Sequence, residues 1–163
     1  MPLPFDPIAE ARRNWETHRW GATDQMVVAT SITRGHQILL RRIDTALHPF
    51  GLNFSRFEAL ALLYFSRAGA LPLGKIGDRL QVHPTSVTNT IDRLEADGLV
   101  VRRPHPTDRR TTLAELTDEG RQVVTGAAAA LDGIGFGLDG MSQRQLRDVD
   151  DALATLRRNA GDF

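Results

Sequence analysis

The side chains best suited to chemistry in this chain are hydrogen-bonding and cationic, and they lie close together. Thr85, Ser86, Thr88 and Asn89 follow Pro84, with Arg93 one helical turn further on. Proline is well placed at the first position of a helix, where its missing amide costs nothing, so these polar residues fall in the first turn and a half of a helix and just beyond it. An asparagine amide can make paired hydrogen bonds to adenine, and serine and threonine hydroxyls suit several bases or a phosphate. Residues 102–110 then hold four arginines and one histidine against a single acid, Asp108. Arginines such as Arg109 and Arg110 at a loop tip suit a narrow minor groove, where the negative potential is enhanced. Asp108 would repel phosphate, so its expected role is to pair with an arginine and fix that side chain's aim. Each group alone also matches a solvated helix end or a charged hairpin. Together they point to double-stranded DNA.

The elements that must hold these groups read as a helix-turn-helix and a two-stranded wing. Leu73, Ile76 and Leu80 form the inner face of a short helix, Gln81-Val82-His83 the turn, and Val87, Ile91 and Leu94 the inner face of the second helix over 84–97. Gly98 ends it as a left-handed cap. Leu99–Arg103 and Thr111–Leu116 are strand-like, and Pro104, Pro106 and Asp108 make the connection a turn, giving a wing over 99–116.

The flanks read as helices. Ile8–Trp20 is helical, and Trp15 and Trp20, five apart at ~100° per residue, should point away from each other. Asp24 is the expected cap of a long helix to Leu47, whose apolar stripe is Val28, Ile32, Gly35, Leu39, Ile43 and Ala46. Pro49 and Gly51 end it. Ser55 and Glu58 have the spacing of a capping box opening a helix from Arg56 to Ser66, with Leu60, Leu63 and Tyr64 inward and Ala68-Gly69-Ala70 closing it. Thr117 caps a further helix, with Asp118 and Glu119 at the positive end of its dipole and a break expected between Gly133 and Gly140. Ser142 and Gln145 form a second capping box. The last helix carries Leu146, Val149, Leu153 and Leu156 as an apolar seam about two heptads long, too short to stand alone and suited to docking on other helices.

Composition narrows the classes. The 163 residues are 41% hydrophobic and 25% charged, with no cysteine and a formal net charge of zero. A packed core is available. Disulfides, thiol catalysis and thiol redox sensing are excluded. No apolar run reaches membrane-spanning length, and the N-terminal stretch lacks the basic and apolar blocks of a secretory signal, so a cytoplasmic protein is expected. Zero net charge runs against DNA binding in bulk, but phosphate attraction is local. His18, His36, His48, His83 and His105 are scattered without helical i,i+4 pairing, so no metal site is expected. No nucleophile elbow, phosphate-cradling glycine loop or zinc-protease motif is present, and Asp148, Asp150 and Asp151 lie on the outer side of the leucine seam. Neither an enzyme nor a cofactor is expected.

At Leu80–Arg93, Leu94-Glu95-Ala96-Asp97-Gly98-Leu99-Val100, Asp108-Arg109-Arg110 and Leu116-Thr117-Asp118-Glu119-Gly120 the chain resembles the MarR family of bacterial winged-helix regulators. Order and spacing agree from Leu52 to Gly120. Asn89 departs from the pattern, since many members carry Arg or Lys there, so base preference stays open. The resemblance implies a mostly α fold with a small β-wing: an N-terminal arm and first dimerisation helix over 1–48, a winged helix-turn-helix over 52–117, and C-terminal dimerisation helices over 118–163. It implies a homodimer on a pseudo-palindromic operator, acting as a repressor. It also implies a small aromatic or lipophilic acid, or its CoA thioester, as effector. Candidate lining residues are Trp15, Trp20, His36, Phe57 and Tyr64. The tryptophans either cover such a pocket or staple the N-terminal helix to the dimer, and Phe57 and Tyr64 equally suit a core. The hydroperoxide-sensing mechanism of the family needs a cysteine that this chain lacks. The competing reading is a winged helix used for protein contacts without sequence-specific DNA binding.

Overall fold

The computed structural model describes residues 3–163 except Arg109, so the wing assignment made for Arg109 lies outside the described residues. Seven α-helices and three strands make up the described chain: α1 (Pro7–Thr17), α2 (Thr23–Leu47), α3 (Phe54–Phe65), β1 (Ala70–Pro72), α4 (Leu73–Leu80), α5 (Pro84–Ala96), β2 (Val100–Pro104), β3 (Thr112–Leu116), α6 (Asp118–Gly133) and α7 (Gln143–Asn159), with two short 3-10 turns. The fold is mostly α with a small β-wing, as the sequence implied.

The core is apolar and continuous. Leu60, Leu63, Ile76, Ile91, Leu94 and Val100 of the winged helix are buried together with Ile43 and Leu47 of α2 and Leu131 of α6. Fully burying each such side chain contributes about 1.5–3 kcal/mol. The stripe on α2 therefore divides. Its C-terminal half is core, while Val28 and Ile32 near the N-terminus are 55% and 41% exposed.

The sheet has three antiparallel strands in the order β1-β3-β2. The sequence reading missed β1, whose three residues pair with Leu113–Glu115 and close the sheet edge opposite the hairpin. In the wing, Val100 lies opposite Leu116 and Pro104 opposite Thr112.

Several helix ends differ from expectation for identifiable reasons. Asp24 is not the cap of α2. Ala22 holds that place with φ 56°, and the Asp24 carboxylate takes the Arg12 guanidinium at 2.7 Å. The Ser55–Glu58 box is absent. Asn53 caps α3 by accepting the Arg56 amide at 3.0 Å, and Asp44 of α2 accepts the Phe54 amide at 2.8 Å. Glu58 instead sits half-buried against α5, and that burial pushes its carboxyl above the usual range. Trp15 and Trp20 do not diverge. α1 ends at Thr17, Arg19 turns with φ 56°, and the two rings meet edge to face at 4.7 Å, with the Trp15 indole donating to the Gly21 carbonyl at 2.9 Å. Thr117, the break after Gly133 and the Ser142–Gln145 box are where the sequence placed them.

Candidate nucleic-acid interface

α5 is shaped by three local features. Pro84 takes its first position, the His83 ring accepts the Thr85 amide at 3.3 Å, and Val87, Ile91 and Leu94 point into the core. α4 crosses closely behind it. A Cβ on Gly77 would meet Val87 Cγ2 at 3.2 Å and the Val82 carbonyl oxygen at 3.4 Å, so a glycine lets the two helices approach. Gln81 makes the turn between them with φ 53°. The consequence is a fixed outer face on which Thr85, Ser86, Thr88, Asn89 and Arg93 are all exposed. Thr88 donates its hydroxyl to the Pro84 carbonyl at 3.1 Å.

The wing is braced from behind. Arg102 places its guanidinium between Asp92, at 2.6 Å, and Glu95, and its amide donates to Glu95 at 3.0 Å. Asp92 and Glu95 are three apart on α5, so one helix face grips the base of β2. Arg103 pairs with Glu115 across the hairpin at 3.5 Å. Two of the four arginines read from the sequence as a basic tip are thus occupied in holding the wing against α5 and β3. Arg110 is exposed at the tip.

Asp108 organises that tip differently from the expectation. Its carboxylate accepts the Arg110 amide at 3.0 Å and the Thr111 hydroxyl at 2.7 Å, an Asx turn that the Thr111 amide closes onto the Asp108 carbonyl at 3.0 Å. The Thr111 hydroxyl foremost, and then the Arg110 amide, hold the Asp108 carboxyl below its usual range. Asp108 positions Arg110 through the backbone.

A joint connects this surface to the outer helices. The Thr117 hydroxyl donates to the Gly98 carbonyl at 2.9 Å and accepts the Gly120 amide at 2.9 Å, while the Thr117 amide donates to the Leu99 carbonyl at 3.1 Å. The end of α5, the start of β2 and the first turn of α6 are one hydrogen-bonded unit. Gly120 is where α6 comes closest to β2: a Cβ there would overlap the Leu99 carbonyl oxygen and lie 2.8 Å from Leu116 Cδ1.

Away from the wing, α7 buries no residue fully among those described, and Val149 and Leu156 are 47% and 55% exposed. Leu146 and Leu153 are half-buried. An apolar groove of about 610 Å³ runs between Leu153 and Leu156 of α7 and Val28 and Ile32 of α2. The five effector candidates are not gathered into one site. Trp15 and Trp20 form the pair at the end of α1, His36 is exposed on α2, and Phe57 is core. Tyr64, expected inward, is 43% exposed. It borders a groove of about 750 Å³ with Arg67, Arg121, Gln122 and Thr125.

A helix pair with an outward polar helix, backed by a hairpin with an arginine at its tip, defines a winged helix-turn-helix DNA-binding protein. The MarR family model matches residues 52–112. A MarR family transcriptional regulator from Streptomyces coelicolor is 49% identical, with 86% of this chain aligned to 97% of that one at a TM-score of 0.80. This chain belongs to the MarR family. CouR from Rhodococcus jostii RHA1, solved bound to p-coumaroyl-CoA, is 27% identical over 79% of this chain and 90% of its own, with a TM-score of 0.68. The HTH-type transcriptional regulator MhqR of Bacillus subtilis is 36% identical over 89 residues, which is 55% of this chain. The aligned stretch spans 60% of MhqR's length. These relatives and structural neighbours are transcriptional regulators, and among the described residues no helix is long and apolar enough to cross a membrane.

Proposed function

We propose that the protein is a ligand-responsive homodimeric repressor that reads a pseudo-palindromic operator. The observation that carries this reading is the outer face of α5, where Thr85, Ser86, Thr88 and Asn89 stand clear of the core beside a wing whose tip presents Arg110. The polar first turns of α5 enter the major groove, Asn89 and its neighbours contact base edges, and Arg110, together with Arg109, reaches the adjacent minor groove. A second copy of the chain covers the seam of Leu146, Val149, Leu153 and Leu156 and the exposed N-terminal half of α2. Residues 1–48 and 118–163 then supply the dimer, and 52–117 the DNA contact. Two such lobes on one side of a duplex address half-sites about one helical turn, ~10 base pairs, apart.

The effector is a small aromatic acid or its CoA thioester. CouR's bound ligand belongs to that class, and the groove at Tyr64 sets a phenol beside two arginines suited to a carboxylate or phosphate. Release by the ligand requires that ligand and operator favour different separations of the two α5 helices.

The test is fluorescence anisotropy with duplexes selected from a random pool, repeated across a salt series and with p-coumaroyl-CoA added. Log affinity falling linearly with log salt, and a sequence preference lost on adding ligand, are the expected results. Binding of neither selected nor random duplex would leave the protein-contact reading in its place. An operator complex indifferent to every aromatic acid and thioester tried would overturn the effector class.

A further inference from the structure

We propose that Arg56 is a DNA-backbone contact held in reserve by Asp97, and that the cleft between α3 and α5 seats a phosphate. The proposal rests on the reading of α5 as the recognition helix. The cleft, of about 410 Å³, has Asn53, Ser55 and Arg56 of the α3 side on one wall and Ser86, Asn89 and Arg93 of α5 on the other. Its lining, among the described residues, holds two arginines and no carboxylate. The sequence pattern assigned Ser55 to a cap. With Asn53 taking that role, Ser55 is exposed on the cleft wall.

The height of the cleft fits a phosphate better than a base. Arg93 lies eight residues after Thr85, which at ~1.5 Å per residue is ~12 Å back along the helix axis. The major groove is only ~8.5 Å deep. A helix tilted so that its first turn faces the bases carries Arg93, and Arg56 across the cleft from it, toward the sugar-phosphate chain.

Arg56 is already aimed but weakly held. Its Nη1 donates to the Asp97 carboxylate at 3.4 Å and its Nε to Asn53 Oδ1 at 3.3 Å. A strong charge-assisted bond of this kind is about 2.7–2.9 Å long, so a phosphate oxygen can displace the long Asp97 pair. Asp97, half-exposed at the end of α5, keeps the guanidinium from binding other anions when DNA is absent. Because Asp44 of α2 holds the Phe54 amide at 2.8 Å, a phosphate gripped two residues later is tied directly to α2.

The experiment measures affinity against salt for the full chain, on a duplex selected with the parent protein. Arg56→Gln should weaken binding roughly tenfold, as expected for a hydrogen bond to a charged group, and lower the magnitude of the salt slope by about 1 with base preference unchanged. Arg56→Lys should keep the slope. Asp97→Asn should tighten binding, and that gain should vanish in the Arg56→Gln background, since Asp97 acts through Arg56. A folded Arg56→Gln protein with the parental slope and affinity overturns the phosphate contact. A gain from Asp97→Asn that survives without Arg56 overturns the reserve. A parent with no duplex affinity overturns the recognition-helix reading and this proposal with it, whereas a binding parent with an unchanged Arg56 variant overturns this proposal alone.

Discussion

Gly120→Ala sets two effects against each other, and the geometry decides between them. In an open helix interior alanine is favoured over glycine by about 1 kcal/mol. Gly120 lies in the first turn of α6, where that gain is smaller. Against it, the new methyl overlaps the Leu99 carbonyl oxygen and lies 2.8 Å from Leu116 Cδ1 and 3.1 Å from the Leu99 carbonyl carbon. Two of these three atoms are backbone and cannot swing aside. α6 must withdraw by a substantial fraction of an ångström, and the bonds it would stretch are the two between Thr117 and Gly98 or Leu99. Overpacking costs about 1–3 kcal/mol and each weakened hydrogen bond about 1 kcal/mol, so the net loss should be about 2–4 kcal/mol. For a chain of this size that is a fall in Tm of roughly 4–16 °C, at about 2–4 °C per kcal/mol. Thermal and urea unfolding at fixed protein concentration measure it, with Gly74→Ala as the internal control. Gly74 lies in α4 with nothing within 4 Å of its added Cβ, so that variant should be neutral or stabilised by up to about 1 kcal/mol. A Gly120→Ala protein as stable as the parent would refute the close approach of α6 to β2.

Other perturbations separate the parts of the surface. Arg110→Ala should weaken duplex binding on every sequence and reduce the salt slope by about 1, while Asn89→Ala should relax base preference, by about 1–3 kcal/mol of discrimination at its position, with the slope unchanged; equal effects of both on selected and random duplexes would sink the assignment. Asp108 has a folded pKa below its unfolded value of about 3.9, so the wing-tip turn is intact above about pH 4 and lost as pH falls through the folded value. The Arg110 and Thr111 amide signals should therefore stay flat from pH 8 to about 4.5 and move only below; a transition near neutrality would show that another group sets the tip. Ending the chain after Gly140 removes α7, and a truncated protein that remains dimeric by light scattering would take the leucine seam out of the subunit contact.

The parts of this fold legible in the sequence are those set by local chemistry. Pro84, Gly98, Thr117 and the Ser142–Gln145 box each act within a turn, and each stands where its residue type demands. What escaped was decided at a distance. Ser55 has the residue type of a cap, but Asn53 holds that place, and Asp44, ten residues away from Phe54 on another helix, holds the first amide of α3. β1 is three residues long and contains a proline, and its partners lie more than forty residues on. The turn at Arg19 that joins Trp15 to Trp20 carries no glycine to mark it. In the wing, the arginine count was visible but its partition was not. The register that sets Arg102 opposite Ala114, with the Asp92–Glu95 face of α5, makes Arg102 a brace, and the pairing with Glu115 does the same for Arg103.

That partition bears on how a chain of zero net charge can address a polyanion. The acids nearest the interface are not spread as a repelling field. Asp92 and Glu95 are occupied by Arg102, Glu115 by Arg103, and Asp108 by the tip turn. Asp92, Glu95 and Glu115 are each paired with an arginine, while Asp108 stays exposed and charged within the tip turn, so attraction to phosphate rests locally on Arg93 and Arg110, which the total does not report. The same braces tie the parts of the lobe to one another. Arg102 locks β2 to α5, and Thr117 locks both to α6, so a tilt of α6 carries the recognition helix and the wing with it as one body. In the proposed dimer, a signal that shifts the outer helices need not deform the reading head to release DNA. It has only to change the distance between two of them.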